Sequence, residues 1–172
     1  MTIRSGLIFF LSSCLVWSCS YRNEFGQDRV RFNIQRIKAN SDENVYNIID
    51  TAKIYSEISI TDNSGKPVSI PDYKPTHLKF YKDGRVAEFK DIDMGTINSF
   101  NPKQARSSLY NLTKGQLIIQ TYFRNPQCGQ CFLKERFEKT SDGSFQLKND
   151  SYIKTFKATE IPKSYLIFKP DW

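Results

Sequence analysis

The chain has 172 residues, 39% of them apolar and 14% aromatic, with 25 Lys and Arg against 18 Asp and Glu and a net charge of +7 at pH 7. That length holds one ordinary domain with a sizeable core, and the sequence shows no solenoid repeat, low-complexity tract or coiled-coil heptad. The positive charge is spread along the chain and accompanies no recognisable nucleic-acid module, so it reads as a basic surface and not as a nucleic-acid site.

Met1-Thr2-Ile3-Arg4 followed by the apolar run Gly6 to Leu11 has the form of a signal peptide, a positive start before an apolar stretch too short to remain as a membrane span. Val16-Trp17-Ser18-Cys19 resembles the lipobox of bacterial lipoproteins, in which a small residue precedes a Cys that becomes the lipidated first residue. The resemblance places lipidation, palmitate included, on Cys19. Leu11-Ser12-Ser13-Cys14 matches the consensus residue by residue but leaves an apolar region of only six residues, so Cys14 is the alternative. The resemblance implies a membrane partner through a lipid anchor, in the bacterial cell envelope. The stretch after Cys19 has no acidic run, which points to an outer-membrane lipoprotein facing the periplasm. The expected organisation is a signal peptide over 1–18, the lipidated Cys and a polar tether over 19–26, and a single β-rich domain over 27–172, functioning as a monomer. Cleavage removes 18 of the 172 residues and leaves 154.

From Arg29 onward the dominant period is two, the pattern of half-buried strands. Val30, Phe32 and Ile34 alternate with polar residues, as do Leu78 and Phe80, then Leu117, Ile119, Thr121 and Phe123, then Cys131, Leu133, Glu135 and Phe137. Residues 41–52 fit a short helix or a strand. The stretch Thr61 to Pro75, with Gly65, Pro67, Pro71 and Pro75, reads as a long loop able to close one end of a barrel. Tight-turn signals sit at Lys82-Asp83-Gly84, Thr113-Lys114-Gly115 and Ser141-Asp142-Gly143, each between two strand patterns. Eight to ten short strands joined by such turns predict an all-β fold, an antiparallel meander that closes into a barrel or folds into a two-sheet β-sandwich.

The run Leu78-Lys79-Phe80-Tyr81-Lys82-Asp83-Gly84-Arg85-Val86, followed by Ser108-Leu109-Tyr110, resembles the hairpins of bacterial lipocalin-like lipoproteins. The resemblance covers about residues 50 to 160 and implies a calycin-type barrel. The N-terminal Gly-x-Trp of lipocalins is not present, since the Trp outside the signal peptide is Trp172. The family carries no catalytic residue or cofactor to transfer, and implies a small apolar or amphipathic ligand held inside or at the mouth of the barrel.

Cys128-Gly129-Gln130-Cys131 is the sharpest local motif. In an exported protein it suggests thioredoxin-like chemistry, but only 41 residues follow Cys131 and they read as hairpins, with no long helix. Gly129-Gln130 instead suits a two-residue type II′ turn that sets the two cysteines opposite each other, as a disulfide or as an idle thiol pair. Two thiolates without two further ligands do not make a zinc site, so no metal is expected. His77 is the chain's one histidine, and packing or a surface position is its expected role. Asp91 and Asp93 share a side if the segment stays extended, and read as a polar strand face. Asp50-Thr51-Ala52 resembles a short O-glycosylation acceptor of exported proteins. No nucleophile elbow, phosphate loop or dinucleotide fingerprint is present. The expected function is a non-catalytic binding module without cofactor; an interaction lipoprotein acting on a protein or glycan through its basic surface is the alternative, and a redox protein using Cys128 and Cys131 the third reading.

Overall fold

The computed structural model describes residues 20–30 and 37–172. Cys14 and Cys19 lie outside the described residues, as do Phe32 and Ile34 of the first alternating run.

Alternation of apolar and polar side chains is what the strands share, and the sheet uses it to divide inside from outside. The strands are β1 (Ser20–Arg22), β2 (Asp28–Val30), β3 (Lys53–Asp62), β4 (His77–Phe80), β5 (Arg85–Phe89), β6 (Arg106–Thr113), β7 (Gln116–Asn125), β8 (Gly129–Lys139), β9 (Phe145–Lys148) and β10 (Tyr152–Glu160). From β3 onward each strand pairs antiparallel with the next, and β10 returns to pair with β3. The result is a closed eight-strand up-and-down barrel, and the two-sheet sandwich is overruled. Closure rests on a long register, Tyr152 opposite Asp62 through Glu160 opposite Lys53, with one bulge between Thr155 and Phe156.

The three tight-turn signals fall where the chain reverses at one end of the barrel. In the β6–β7 turn Lys114 and Gly115 both take positive φ, 50° and 75°, the left-handed pair that a two-residue hairpin requires. Gly84 is needed for a further reason. A Cβ there would meet the backbone nitrogen of Asn40 at 2.2 Å, because the segment leading to Asn40 presses on the turn.

At that same end the barrel is filled by rings. The Tyr55 ring meets those of Phe145, Phe80 and Phe137 edge-on at centroid separations of 4.8, 5.1 and 5.6 Å. Leu78, Val86, Tyr110, Leu117, Ile119, Leu147 and Phe156 complete the cluster. Residues 41–52, open between helix and strand in the sequence, contain a 3-10 helix at Glu43–Asn47 that Asp42 caps by accepting from the Asn44 amide. Its Val45, with Ile49, plugs the end of the ring cluster, and the Tyr55 hydroxyl accepts from the Asp50 amide at 2.6 Å, which fixes the plug to β3.

Both ends of the described chain are locked to the outer wall. β1 and β2 form a hairpin with Ser20 opposite Val30, so the segment read from sequence as a tether begins as a paired strand. Arg29 of β2 is fully buried. Its guanidinium donates to the carbonyls of Ala105, Pro102 and Lys103, pairs with Asp171 at 2.9 Å and lies 4.7 Å from the Trp172 ring centroid. The Trp172 indole in turn donates to the Ser108 carbonyl at 3.2 Å.

Removing a ring from the cluster leaves a cavity that the closed wall cannot collapse. Phe137→Ala is expected to lower unfolding free energy by about 3–5 kcal/mol. Tyr55→Phe, which only frees the plug from β3, should lower it by about 1 kcal/mol. Urea denaturation followed by near-ultraviolet circular dichroism measures both.

Candidate functional site

The opposite half of the barrel interior has a different chemistry. Following the inward positions away from the ring cluster, Tyr55 is succeeded by Glu57 on β3, Val86 by Glu88 on β5, Tyr110 by Ser108 on β6, Ile119 by Thr121 on β7, Phe137 by Glu135 on β8 and Phe156 by Lys154 on β10. All six polar side chains are buried. Burying ionised groups costs several kcal/mol each unless partners offset it, so each demands an accounting.

Glu57 is the most fully partnered. It accepts from the Tyr73 hydroxyl at 2.6 Å and from the Thr76 amide at 3.0 Å, and the Lys154 ammonium stands 3.7 Å away. Tyr73 belongs to the long loop after β3, so the sequence's end-closing loop does reach over this end of the barrel. Its phenol is held well above the usual range, first by burial and then by the carboxylate it donates to. Thr76 Oγ1 accepts from both Lys154 at 3.0 Å and Lys90 at 2.7 Å. Two cations therefore converge on one hydroxyl, and Lys90 is lowered by burial and then by Lys154.

Glu88 accepts from Ser108 at 2.9 Å and from Thr121, with the Arg106 guanidinium 3.9 Å away. Glu135 has weaker support. Asn149 donates to it at 3.1 Å, and burial, then the nearby Glu88 charge, pushes its carboxyl from 4.5 up to about 7. Tyr152 above it is pushed up to about 12, by burial and then by Glu135. The arrangement can hold a polar group by hydrogen bonds, and Glu135 can take or release a proton near neutrality. Among the described residues no group of three or more His, Cys, Asp or Glu is placed to hold a metal ion.

The residues singled out from sequence are not brought into this half together. His77 Nδ1 and Ser56 Oγ lie 2.9 Å apart because the two residues are direct cross-strand partners on the outward face, and burial lowers the imidazole's pKa. Asp91 and Asp93 do not converge: Asp91 pairs with Lys74, while Asp93 accepts from the Gly95 amide and the Thr96 hydroxyl and caps a turn. Thr51 lies between the plug and β3, its carbonyl accepting from Lys79.

Cys128 and Cys131 sit at the tip of the longest hairpin, with Cα atoms 5.9 Å apart and sulfurs in contact. The turn is not the two-residue Gly129-Gln130 turn that the sequence suggested. Asn125 pairs with Gly129 across the loop Pro126 to Cys128, and Cys131 stands opposite Phe123. Asn125 and Pro126 decide this. The Asn125 side chain accepts from the Gln127 amide at 2.8 Å and its carbonyl from the Cys128 amide at 3.2 Å, while Pro126 presets the first turn position. Gly129, at φ 65°, takes the left-handed position that follows.

Nothing local in the sequence sets Glu57, Glu88 or Lys154 apart as site residues, and Glu135 stands out there only as a strand position. The available signal was a charged residue on the inward phase of an otherwise apolar alternation, as in Cys131, Leu133, Glu135, Phe137. Comparison of the chain with family models, with curated proteins and with solved structures found no match.

A carboxyl raised in the folded state binds its proton more tightly there than in the unfolded chain. Between about 4.5 and 7 the folded protein keeps the proton and the unfolded one releases it, so this group's contribution to stability falls as pH rises through that window. Glu135→Gln should therefore gain on the order of 2–3 kcal/mol relative to the parent on going from pH 4 to pH 8. Urea midpoints at both pH values measure it, and a difference independent of pH would return Glu135 to ordinary carboxylate behaviour. Replacing both Cys128 and Cys131 by Ser opens only a four-residue loop and should cost about 2 kcal/mol or less on a loop-entropy view, with non-reducing peptide mapping of the parent showing the linked pair.

Proposed function

We propose that this chain is an envelope lipoprotein whose lipocalin-like barrel is a non-catalytic binding module, taking a small amphipathic ligand at the polar half of its interior. One observation carries this reading. Glu57, Glu88, Glu135 and Lys154 come from four different strands and meet inside a small barrel whose other half is packed with rings. A barrel built for stability alone gains nothing by desolvating three carboxylates and an ammonium, whereas a recognition site needs convergent polar groups held in place. The filled half explains why the ligand belongs at the mouth, under the loop that brings Tyr73, and not in a long apolar calyx.

An interaction role through the basic exterior is the second reading, favoured by the cations on the outer wall of β7 to β9. The cysteine pair supports a clip for the β7–β8 tip, since this all-β barrel offers no thioredoxin-like helix after Cys131.

Native mass spectrometry of the detergent-extracted mature protein tests the ligand. A retained small-molecule adduct in the parent that is lost in Glu57→Gln/Glu135→Gln supports the site, and an adduct unaffected by the pair of changes places binding elsewhere. The same spectra test the anchor. Acyl mass is expected on the mature N-terminus, abolished by Cys19→Ala and retained in Cys14→Ala; the reverse pattern would move the anchor to Cys14.

A further inference from the structure

The strand register assembles a row of cations on the outside of the barrel. Arg136 on β8 stands directly opposite Lys148 on β9 and directly opposite Ile118 on β7, and Lys134, two residues along the same face of β8, stands opposite Gln120. Like charges placed directly across a sheet repel, so this pairing weakens the sheet unless an anion lies over it. Lys148 is partly offset by Glu138 at 3.0 Å. Among the described residues Lys134 and Arg136, both exposed, form no ion pair. The three cations border a groove of about 360 Å³ whose apolar contribution is Ile37 and Ile118 and whose exposed acid is Asp150. Cations over a partly apolar groove suit an anionic headgroup with the first carbons of its chain.

The N-terminal hairpin indicates which anion is at hand. Val30 of β2 lines a crevice with Gln120, Tyr122 and Phe132, the positions next along β7 and β8 from Ile118 and Lys134. Ser20 is the cross-strand partner of Val30. The residue that follows Cys19 is therefore fixed to the same wall as the basic row, with no free spacer between.

We propose that the barrel lies side-on against an anionic phospholipid surface, with Lys134, Arg136 and Lys148 on the headgroups. The source of the membrane rests on acylation at Cys19. The orientation puts the opposite wall, which carries β3, toward solvent, and leaves the polar mouth at the edge of the contact. Each cation near such a surface adds favourable attraction that fades within a Debye length.

The test uses the acylated mature protein reconstituted in vesicles of phosphatidylcholine alone or of phosphatidylcholine with about one-third phosphatidylglycerol. Lysines are labelled with an amine-reactive ester and read by mass spectrometry. Labelling of Lys134 and Lys148 is expected to fall several-fold in the anionic vesicles, while Lys66, in the loop that follows β3, labels equally in both. High salt and Arg136→Glu, an exposed change that leaves the core intact, should each restore labelling at Lys134 and Lys148. Equal labelling in the two vesicles overturns the proposal, as does protection that survives both high salt and Arg136→Glu. Intact mass of the same sample reports separately on Cys19. A missing acyl mass defeats the anchor, and protection on vesicles added from outside then still decides whether the basic row docks.

Discussion

Pairing of β10 with β3 is the constraint on which the remaining structure depends. Eight strands closed on themselves have no edges to protect, but they also enclose an interior only just wide enough for side chains. Everything on the inward phase must fit everything else on that phase. At one end the solution is a set of interlocking rings around Tyr55, sealed by Val45 and Ile49. At the other it is a hydrogen-bonded set of charges.

The boundary between these halves runs across the strands and not between them, so single strands contribute to both. β8 carries Phe137 and Glu135 on consecutive inward positions, and β10 carries Phe156 and Lys154. The ring cluster supplies the stability that lets the charged half depart from apolar packing, since carboxylates held near one another work against the fold. Glu57 has Tyr73, Thr76 and Lys154 around its carboxylate, whereas at Glu135 burial outweighs Asn149, Tyr152 and Lys154 and raises the carboxyl to about 7.

The outer wall shows the same division of labour. Arg29, buried against Trp172 and bonded to three carbonyls of the β5–β6 connection, ties the first and last described residues to one flank. Beside it the wall presents cations. An anchor attached next to Ser20 would thus orient the barrel and not merely tether it.

Hairpin chemistry and strand period were legible in the chain because they are local. Lys114-Gly115 demands a left-handed turn, and Leu78 and Phe80 alternate with polar neighbours whatever surrounds them. The turn at Cys128 differs from the one the local Gly129-Gln130 pair suggests because Asn125-Pro126, just upstream, outcompetes it for the reversal. The sequence by itself determined an all-β meander of short strands and its tight turns, since each rests on residues within a few positions of one another. Tertiary structure alone decided that β10 closes on β3, that Glu57, Glu88, Glu135 and Lys154 share one interior, that Arg29 meets Trp172, and that Arg136 faces Lys148. These pairs lie on separate strands, and only the register of a closed barrel brings them within reach.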